Sequence, residues 1–513
     1  MARARCCSLL APLLAVAFKA AAAEHPHSHP APEKLGKVTF ATTCAATAQP
    51  EFERAVALLH SFAYAPAEQA FRDAAAADPD CAIAHWGAAM AYFNQLWEPP
   101  GADDIAKAQA EIALAKAHPA KSARERDFID AAAVYYRDAD RLSPADRAKA
   151  YATAMAGVAS RYPGDTEAQV FYALALIATA PPADRTHANQ KRAVEILEPL
   201  YRKYPQHPGI AHYLIHACDS AELAPRGLAA ARAYAKIAPS APHALHMPSH
   251  IFTRLGYWDD SVASNTAARA AARAEGDVGE ELHAMDYLVY ADLQRGRDAD
   301  AERVVADLKA MQPKLSASKF KIGYAANAMP VRLAVERRNW DDAAALTPLP
   351  QSEPHVAAIV YWARAIGHSR GGHPDAADAD IAEIDACLEK LRAAHNDYWA
   401  TQTEVLADAA RAWQSKAKGD SDGATKRLAA AADKEDAIEK RPVTPGPIVP
   451  AREQLADLLL ELDRPQDALR EYQSALTLAP GRRGSLAGAA TAAERTGDTK
   501  TAEAMRVQLA GRQ

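Results

Sequence analysis

"AVEILEPLYRKYP", residues 193–205, decides the fold. Its apolar residues recur at helical spacing. It opens on a small residue and closes on a proline, which cannot continue a helix. Two other stretches follow the same plan, "AEQAFRDAAAADP" at 67–79 and "ALREYQSALTLAP" at 468–480. In each, an alanine (Ala67, Ala193, Ala468) precedes a bulky side chain four residues on (Phe71, Leu197, Tyr472) and a proline twelve residues on (Pro79, Pro205, Pro480). The small residue admits a second helix at close range, and the proline ends the helix that carries it.

The spacing is periodic. Small residues stand at Ala193, Gly227 and Ser261, 34 residues apart, with later equivalents at Ala301, Ala343, Ala377, Ala424, Ala468 and Ala502. Turn-forming stretches such as "GYWDDS", "GRDADA", "RNWDDA" and "GDTKTA" precede many of them. No alternating strand pattern interrupts the helical periodicity.

This pattern resembles the tetratricopeptide repeat (TPR), a helix–turn–helix unit of 34 residues. The match is most specific over 52–80, 193–261 and 452–502, looser over 270–440 and weakest over 100–190. The resemblance implies an all-α, right-handed superhelical solenoid whose first helices line a concave groove for a protein or peptide partner. More narrowly, "HYLIHACD" together with "HMPSHIFTRLG" is similar to exported bacterial repeat proteins, from which no activity follows.

Composition agrees with that class. The 513 residues are rich in alanine, 49% apolar, and hold only 23 glycines and 7% aromatics, which suits helices packed through small side chains. The net charge is −6 with mixed signs and no basic stripe, so no nucleic-acid partner is expected.

The N-terminus reads as a targeting segment. Arg3 and Arg5 precede an apolar run from Leu9 to Phe18, and Ala20 to Ala23 form a small-residue cleavage region. Lys19 is unusual so close to that region, and Cys6 and Cys7 precede the apolar run where a lipoprotein cysteine would follow it. The expected organisation is a signal peptide at 1–23, a His/Pro-rich segment at 24–43, a solenoid at 44–440, a Pro-rich connection "RPVTPGPIVP" at 441–450 and further repeats at 451–513. The mature chain is expected to be periplasmic or secreted, with no membrane span after signal cleavage. In an oxidising compartment Cys44 and Cys81 are expected to form a disulfide, and Cys218 and Cys387 to remain apart.

Histidines fall in register with the repeat. His212 and His216 lie 15 and 11 residues before Gly227, and His246 and His250 lie 15 and 11 before Ser261. An i, i+4 pair shares one helix face, and equivalent helices of neighbouring units run side by side, so the four imidazoles form a patch. The same offsets from Ala301 reach Asp286 and Tyr290. Pro248 stands inside the second pair, either bending the helix to re-aim His246 or marking a helix start.

Three readings stay open. In the first, the patch belongs to a polar groove for a protein or peptide, with His60 and Tyr290 facing the partner. In the second, His212, His216, His246, His250 and Asp286 ligate a transition metal such as copper or zinc, with His243 and Asp219 as outer-shell partners. In the third, the histidines are core residues bonded to tyrosines or backbone. The partner groove is the leading expectation, and a metal carrier or metal-dependent oxidoreductase the alternative.

Other signals are weaker. "HPHSHP" at 25–30 is a short metal-capturing tail or a solvated spacer, and His85 beside Trp86 reads as core. Trp86, Trp258 and Trp340 are expected to fill gaps between helices. "HYLIH" and "HMPSH" lack the glutamate of a His-Glu-x-x-His protease, and no nucleophile elbow, phosphate loop or dinucleotide fingerprint is present. No catalytic residue is assigned.

Overall fold

The computed structural model describes residues 33–511 except 97–98, 119, 182 and 312–314. The expected signal peptide and the His-rich tail at 25–30 lie outside the described residues. Within them every regular element is helical, and no β-strand occurs. No described helix is long and apolar enough to cross a membrane.

The helices stack as antiparallel pairs, each packed on its neighbours along the chain. Gln49–His60 pairs with Tyr64–Ala77, Pro208–Ala217 with Ala224–Ile237, and Val278–Arg295 with Asp298–Met311. Towards the end, Ala451–Glu461 pairs with Pro465–Leu478, and Arg483–Arg495 with Thr499–Ala510. The small residues sit where these helices cross. Ala67, Ala193, Ser261, Ala301, Ala343, Ala377, Ala424 and Ala468 have 0% exposure. At Gly227 not even alanine fits, since a β-carbon there would lie 2.8 Å from Cys218 Cβ and 2.9 Å from Ile251 Cδ1.

The stack continues through 100–190, where the repeat is weakest in the sequence, as Ala102–Ala117, Ala123–Arg137, Pro144–Arg161 and Thr166–Ala178. Side-chain caps mark the starts of the last three of these helices. Ser122, Ser143 and Asp165 each accept a hydrogen bond from the backbone N–H three residues on.

Two extended straps lie on the helices. The first covers 34–43 and inserts Phe40 among Phe52, Phe128 and Trp86, with ring centroids 5.2, 5.3 and 5.6 Å away. Lys37 N–H donates to the Gln206 carbonyl at 2.8 Å. The strap ends where Cys44 and Cys81 lie at an S–S distance of 1.96 Å, whereas Cys218 and Cys387 are buried free thiols. The strap at 34–43 is thus packed on the helices.

The second strap is the Pro-rich segment 441–450. It is internal to one compact unit that begins at Lys34 and takes in the helices on both sides of it. Its prolines offer carbonyls but no N–H donors, so donors on the helices bind it. The Tyr287 hydroxyl lies 3.3 Å from the carbonyls of both Pro442 and Thr444. The Arg332 guanidinium reaches Thr444 Oγ1 at 2.9 Å and the carbonyls of Gly446 and Pro447 at 3.0 and 3.2 Å.

Reducing the Cys44–Cys81 bond is expected to lower stability by about 3–4 kcal/mol, as release of a loop of this size implies. Guanidinium unfolding with and without reductant, compared with Cys44→Ser, checks it; an unchanged midpoint refutes it. Gly87→Ala should cost about 1–3 kcal/mol by overpacking, because a β-carbon there would fall 2.2 Å from the Phe71 ring. The unfolding midpoint of that variant is the measurement.

Candidate metal centre

Four helices bring six histidines together. Pro208–Ala217 carries His212 and His216. Pro242–His246 carries His243 and His246, and Pro248–Leu255 carries His250. Val278–Arg295 carries His283. All six are buried, from 0% exposure at His212 to 6% at His216.

Pro248 opens a second short helix one residue after the first one ends. Met247 keeps helical angles, φ −52° and ψ −36°, between the two short helices. The pair that straddles the proline has the same spacing as the unbroken pair. His246 Nε2 lies 3.0 Å from His250 Nε2, and His212 Nε2 lies 3.0 Å from His216 Nε2. Pro248 thus leaves the pair spacing unaltered.

Neighbouring groups determine the tautomers. Asn265 donates its amide N–H to the Ser261 carbonyl at 2.8 Å, so its Oδ1 faces His246 and accepts from Nδ1–H at 2.6 Å. His250 Nδ1–H donates to Asp219 Oδ2 at 2.9 Å. With both Nδ1 atoms protonated, the two neutral rings turn bare Nε2 lone pairs towards each other. Lone pairs at that distance repel unless a cation lies between them. Two nitrogens on one ion, each about 2.1 Å from it, would stand roughly 3.0–3.4 Å apart.

In the other pair His212 Nδ1–H donates to the His60 carbonyl at 2.6 Å, leaving its Nε2 bare. His243 Nδ1 donates to Glu280 Oε2 at 3.2 Å. The six rings form two sets. One nitrogen from each of His212, His216 and His243 lies within 4.8 Å of the others, and the same holds for His246, His250 and His283.

Burial favours the neutral form of five of the rings. It pushes His212, His216, His246 and His283 well below the ordinary imidazole value, and neighbouring histidines add to the effect. Burial also lowers His250, against the opposing pull of Asp219. The two flanking carboxylates are ionised. Burial favours their protonated forms, but Lys440 and Arg254 hold Asp219 far below its usual range, and Lys321 and His243 do so for Glu280.

The structure redistributes the residues expected from sequence. His212, His216, His246 and His250 converge, and Asp219 orients His250. His243 stands with His212 and His216 rather than behind them. Asp286 joins neither set, because Arg332 takes its Oδ1 at 2.8 Å in a pair that is almost wholly buried. His60 is fully buried, and Tyr290, 3% exposed, meets Arg482 Nη1 at 3.2 Å, so neither presents a face to a partner. His85 bonds Glu111 at 2.7 Å, away from the patch. Trp86 and Trp258 are buried, and Trp340 is half-buried beneath the Arg370 guanidinium.

His283 is the residue that sequence reasoning missed. The unit between Ser261 and Ala301 is 40 residues long, six more than the repeat. Counting back from Ala301 therefore lands about one turn too late, on Asp286 and Tyr290. The spatial equivalents are His283, 4.2 Å from the His246 ring, and Tyr287, 5.1 Å from the His250 ring. Their own i, i+4 spacing in "HAMDY" was the available signal.

A third cluster gives the contrast. Glu167 accepts from His60 Nε2 and His207 Nε2, each at 2.8 Å. Tyr213 Oη donates to His60 Nδ1 at 2.9 Å, and Ile210 N–H donates to His207 Nδ1 at 3.3 Å. Every ring nitrogen there has a complementary partner, so the cluster is satisfied without an ion.

The chain leading into the Pro-rich strap covers the centre. Asp219 also accepts from Arg254 Nε at 2.9 Å and Lys440 Nζ at 3.1 Å. Arg254 Nη2 donates to Glu439 at 2.6 Å, and His187 Nε2 lies 3.3 Å from the same carboxylate. The residue that orients His250 is thereby tied to the strap.

No family model matches the chain, and no curated protein does. Among solved structures, the human IFIT1 dimer with PPP-AAAA is similar at 11% identity and a TM-score of 0.38, covering 83% of this chain and 90% of that one. Yeast Tom70 matches at 12% identity and a TM-score of 0.36, covering 87% and 88%. The P58(IPK) TPR domain matches at 12% and 0.22, covering 89% and 99%. Overlays this loose transfer no site, ligand or partner.

The clamp carries a pH prediction. Burial disfavours the Glu439 carboxylate, but Arg254, His187 and Lys440 outweigh it and hold the group at about 2, against an ordinary 4.5. A depressed carboxyl contributes its stability above the ordinary value and loses it as pH falls through the folded one. Glu439→Gln should therefore lower stability by about 1–3 kcal/mol at pH 7. Its deficit relative to the wild type should shrink from about pH 4.5 towards pH 2. Paired thermal melts across that range check it, and a pH-independent deficit refutes it.

Proposed function

We propose that this chain is an exported helical-repeat protein that binds a transition metal ion through buried imidazoles. One observation carries the reading. His246 and His250 point bare Nε2 atoms at each other across 3.0 Å while Asn265 and Asp219 occupy both Nδ1 atoms. That is how outer-shell groups orient histidine ligands, setting the tautomer and raising the basicity of the free nitrogen.

The donors name the class of ion. An all-nitrogen set suits copper, zinc, nickel or iron and disfavours calcium or magnesium, which take oxygen. A three-imidazole set also leaves a coordination position open, as in sites where the metal meets water or a small ligand. The chemistry therefore fits a carrier or a metal-dependent oxidoreductase better than a closed structural site.

A partner-binding role is a second reading, favoured by a separate feature. An open cleft of about 690 Å³ lies towards the C-terminal end, lined by Trp340, Trp413, Arg338, Arg370, Asp457 and Glu461. Its aromatic and charged walls suit a peptide, and it shares no lining residue with the histidine patch.

Untagged protein, stripped with chelator and reloaded with Cu2+ or Zn2+, is expected to retain metal through gel filtration. His246→Ala should weaken binding at least tenfold, within the range seen when metal sites lose a supporting group, while helical circular dichroism is unchanged. His85→Ala should leave affinity as it was. Retention of no ion by the wild type, or equal retention by His246→Ala, refutes the reading.

A further inference from the structure

The six histidines make two sites rather than one. We infer that the patch holds a pair of transition-metal ions, one in the His212/His216/His243 set and one in the His246/His250/His283 set. The inference rests on the metal-binding reading above and adds the number and pairing of the ions.

Geometry separates the sets. Within each, three nitrogens approach within 4.8 Å. Ring centroids across the sets, 6.0 Å from His216 to His250 and 6.2 Å from His243 to His246, match the longest within them, 6.4 Å from His216 to His243 and 6.2 Å from His250 to His283, so it is the nitrogen positions that divide the six. The His212–His216 and His246–His250 contacts are each made Nε2 to Nε2 inside a set. Each pair thus aims at its own point, and one ion cannot collect all six rings.

Each set also has its own supports. The first has the His60 carbonyl behind His212 and the Glu280 carboxylate behind His243. The second has the Asn265 amide behind His246 and the Asp219 carboxylate behind His250. Each set thus has one carboxylate that accepts from a ring Nδ1–H and fixes its tautomer. The two flanking cations, Lys321 on Glu280 and Lys440 on Asp219, repeat the same arrangement.

The repeat explains the duplication. His212 and His216 recur 34 residues later as His246 and His250, and each pair is completed by a histidine further along the chain, His243 or His283. Stacking the units sets the two sites side by side. Clustering of histidines alone is not the criterion, because His60, His207 and Glu167 cluster as closely and satisfy one another.

The experiment is a titration of the chelator-stripped full chain with Co2+, read by visible absorption and by metal analysis after gel filtration. His25, His27 and His29 are replaced by alanine so that the N-terminal tail does not contribute to the count. The expected result is two equivalents per chain. His212→Ala and His283→Ala should each retain one. A wild-type stoichiometry of one overturns the pairing and leaves the metal-binding reading intact. A stoichiometry of zero overturns both. If each single variant loses all metal while its circular dichroism stays native, the six histidines form one site and the inference fails. The wild-type count decides the matter even if a variant does not fold.

Discussion

Helix crossings closed by one small side chain per hairpin set the spacing from which everything else follows. Where Ala193, Gly227 and Ser261 sit, a neighbouring helix comes close enough that a larger side chain has no room. Dispersion and burial at these crossings are individually modest and add along the stack, as in any array whose units contact only their neighbours. The close spacing also brings the first helices of successive units near enough for histidines on different helices to face one another. The histidine patch is a consequence of the repeat.

Bringing polar groups inside such a stack has a cost that must be offset locally. The chain does this with buried ion pairs and with its own straps. Arg332 takes Asp286 on one side and three acceptors of the Pro-rich strap on the other. Arg482, fully buried, bridges Glu453 and Glu336 at 2.8 Å each. The strap is part of this system: its carbonyls satisfy Arg332 and Tyr287, and its leading residues Glu439 and Lys440 neutralise Arg254 and Asp219. The surface that the repeat would offer to a partner at Tyr290 is thus covered by the chain itself.

Two kinds of histidine cluster stand within the same stack, and they differ in complementarity rather than in density. Around Glu167, donors meet acceptors at every ring nitrogen, and the network rigidifies the core as a finished unit. Around His246 and His250 the outer groups spend both protonated nitrogens and leave two acceptors opposed. A cation would resolve that opposition.

Much of this was legible in the chain alone. The helix pairs, the small residues at the crossings and the shared register of His212, His216, His246 and His250 follow from spacing, because a helix of fixed pitch turns sequence distance into direction, while the pairing of Cys44 with Cys81 was expected from an oxidising compartment. The rest depended on contacts between distant residues. His283 replaced Asp286 because one unit is six residues longer than the repeat, and an insertion shifts the register without changing composition. Arg332, 46 residues from Asp286, took that carboxylate out of the site. The carbonyl of His60, 152 residues from His212, set a tautomer through a backbone atom that every residue type possesses. The path of residues 441–450 across the helices came from unsatisfied donors waiting there. Local periodicity is written in the sequence, but pairing of buried charges and hydrogen-bond direction belong to the packed structure, where each group takes the partner that packing leaves within reach.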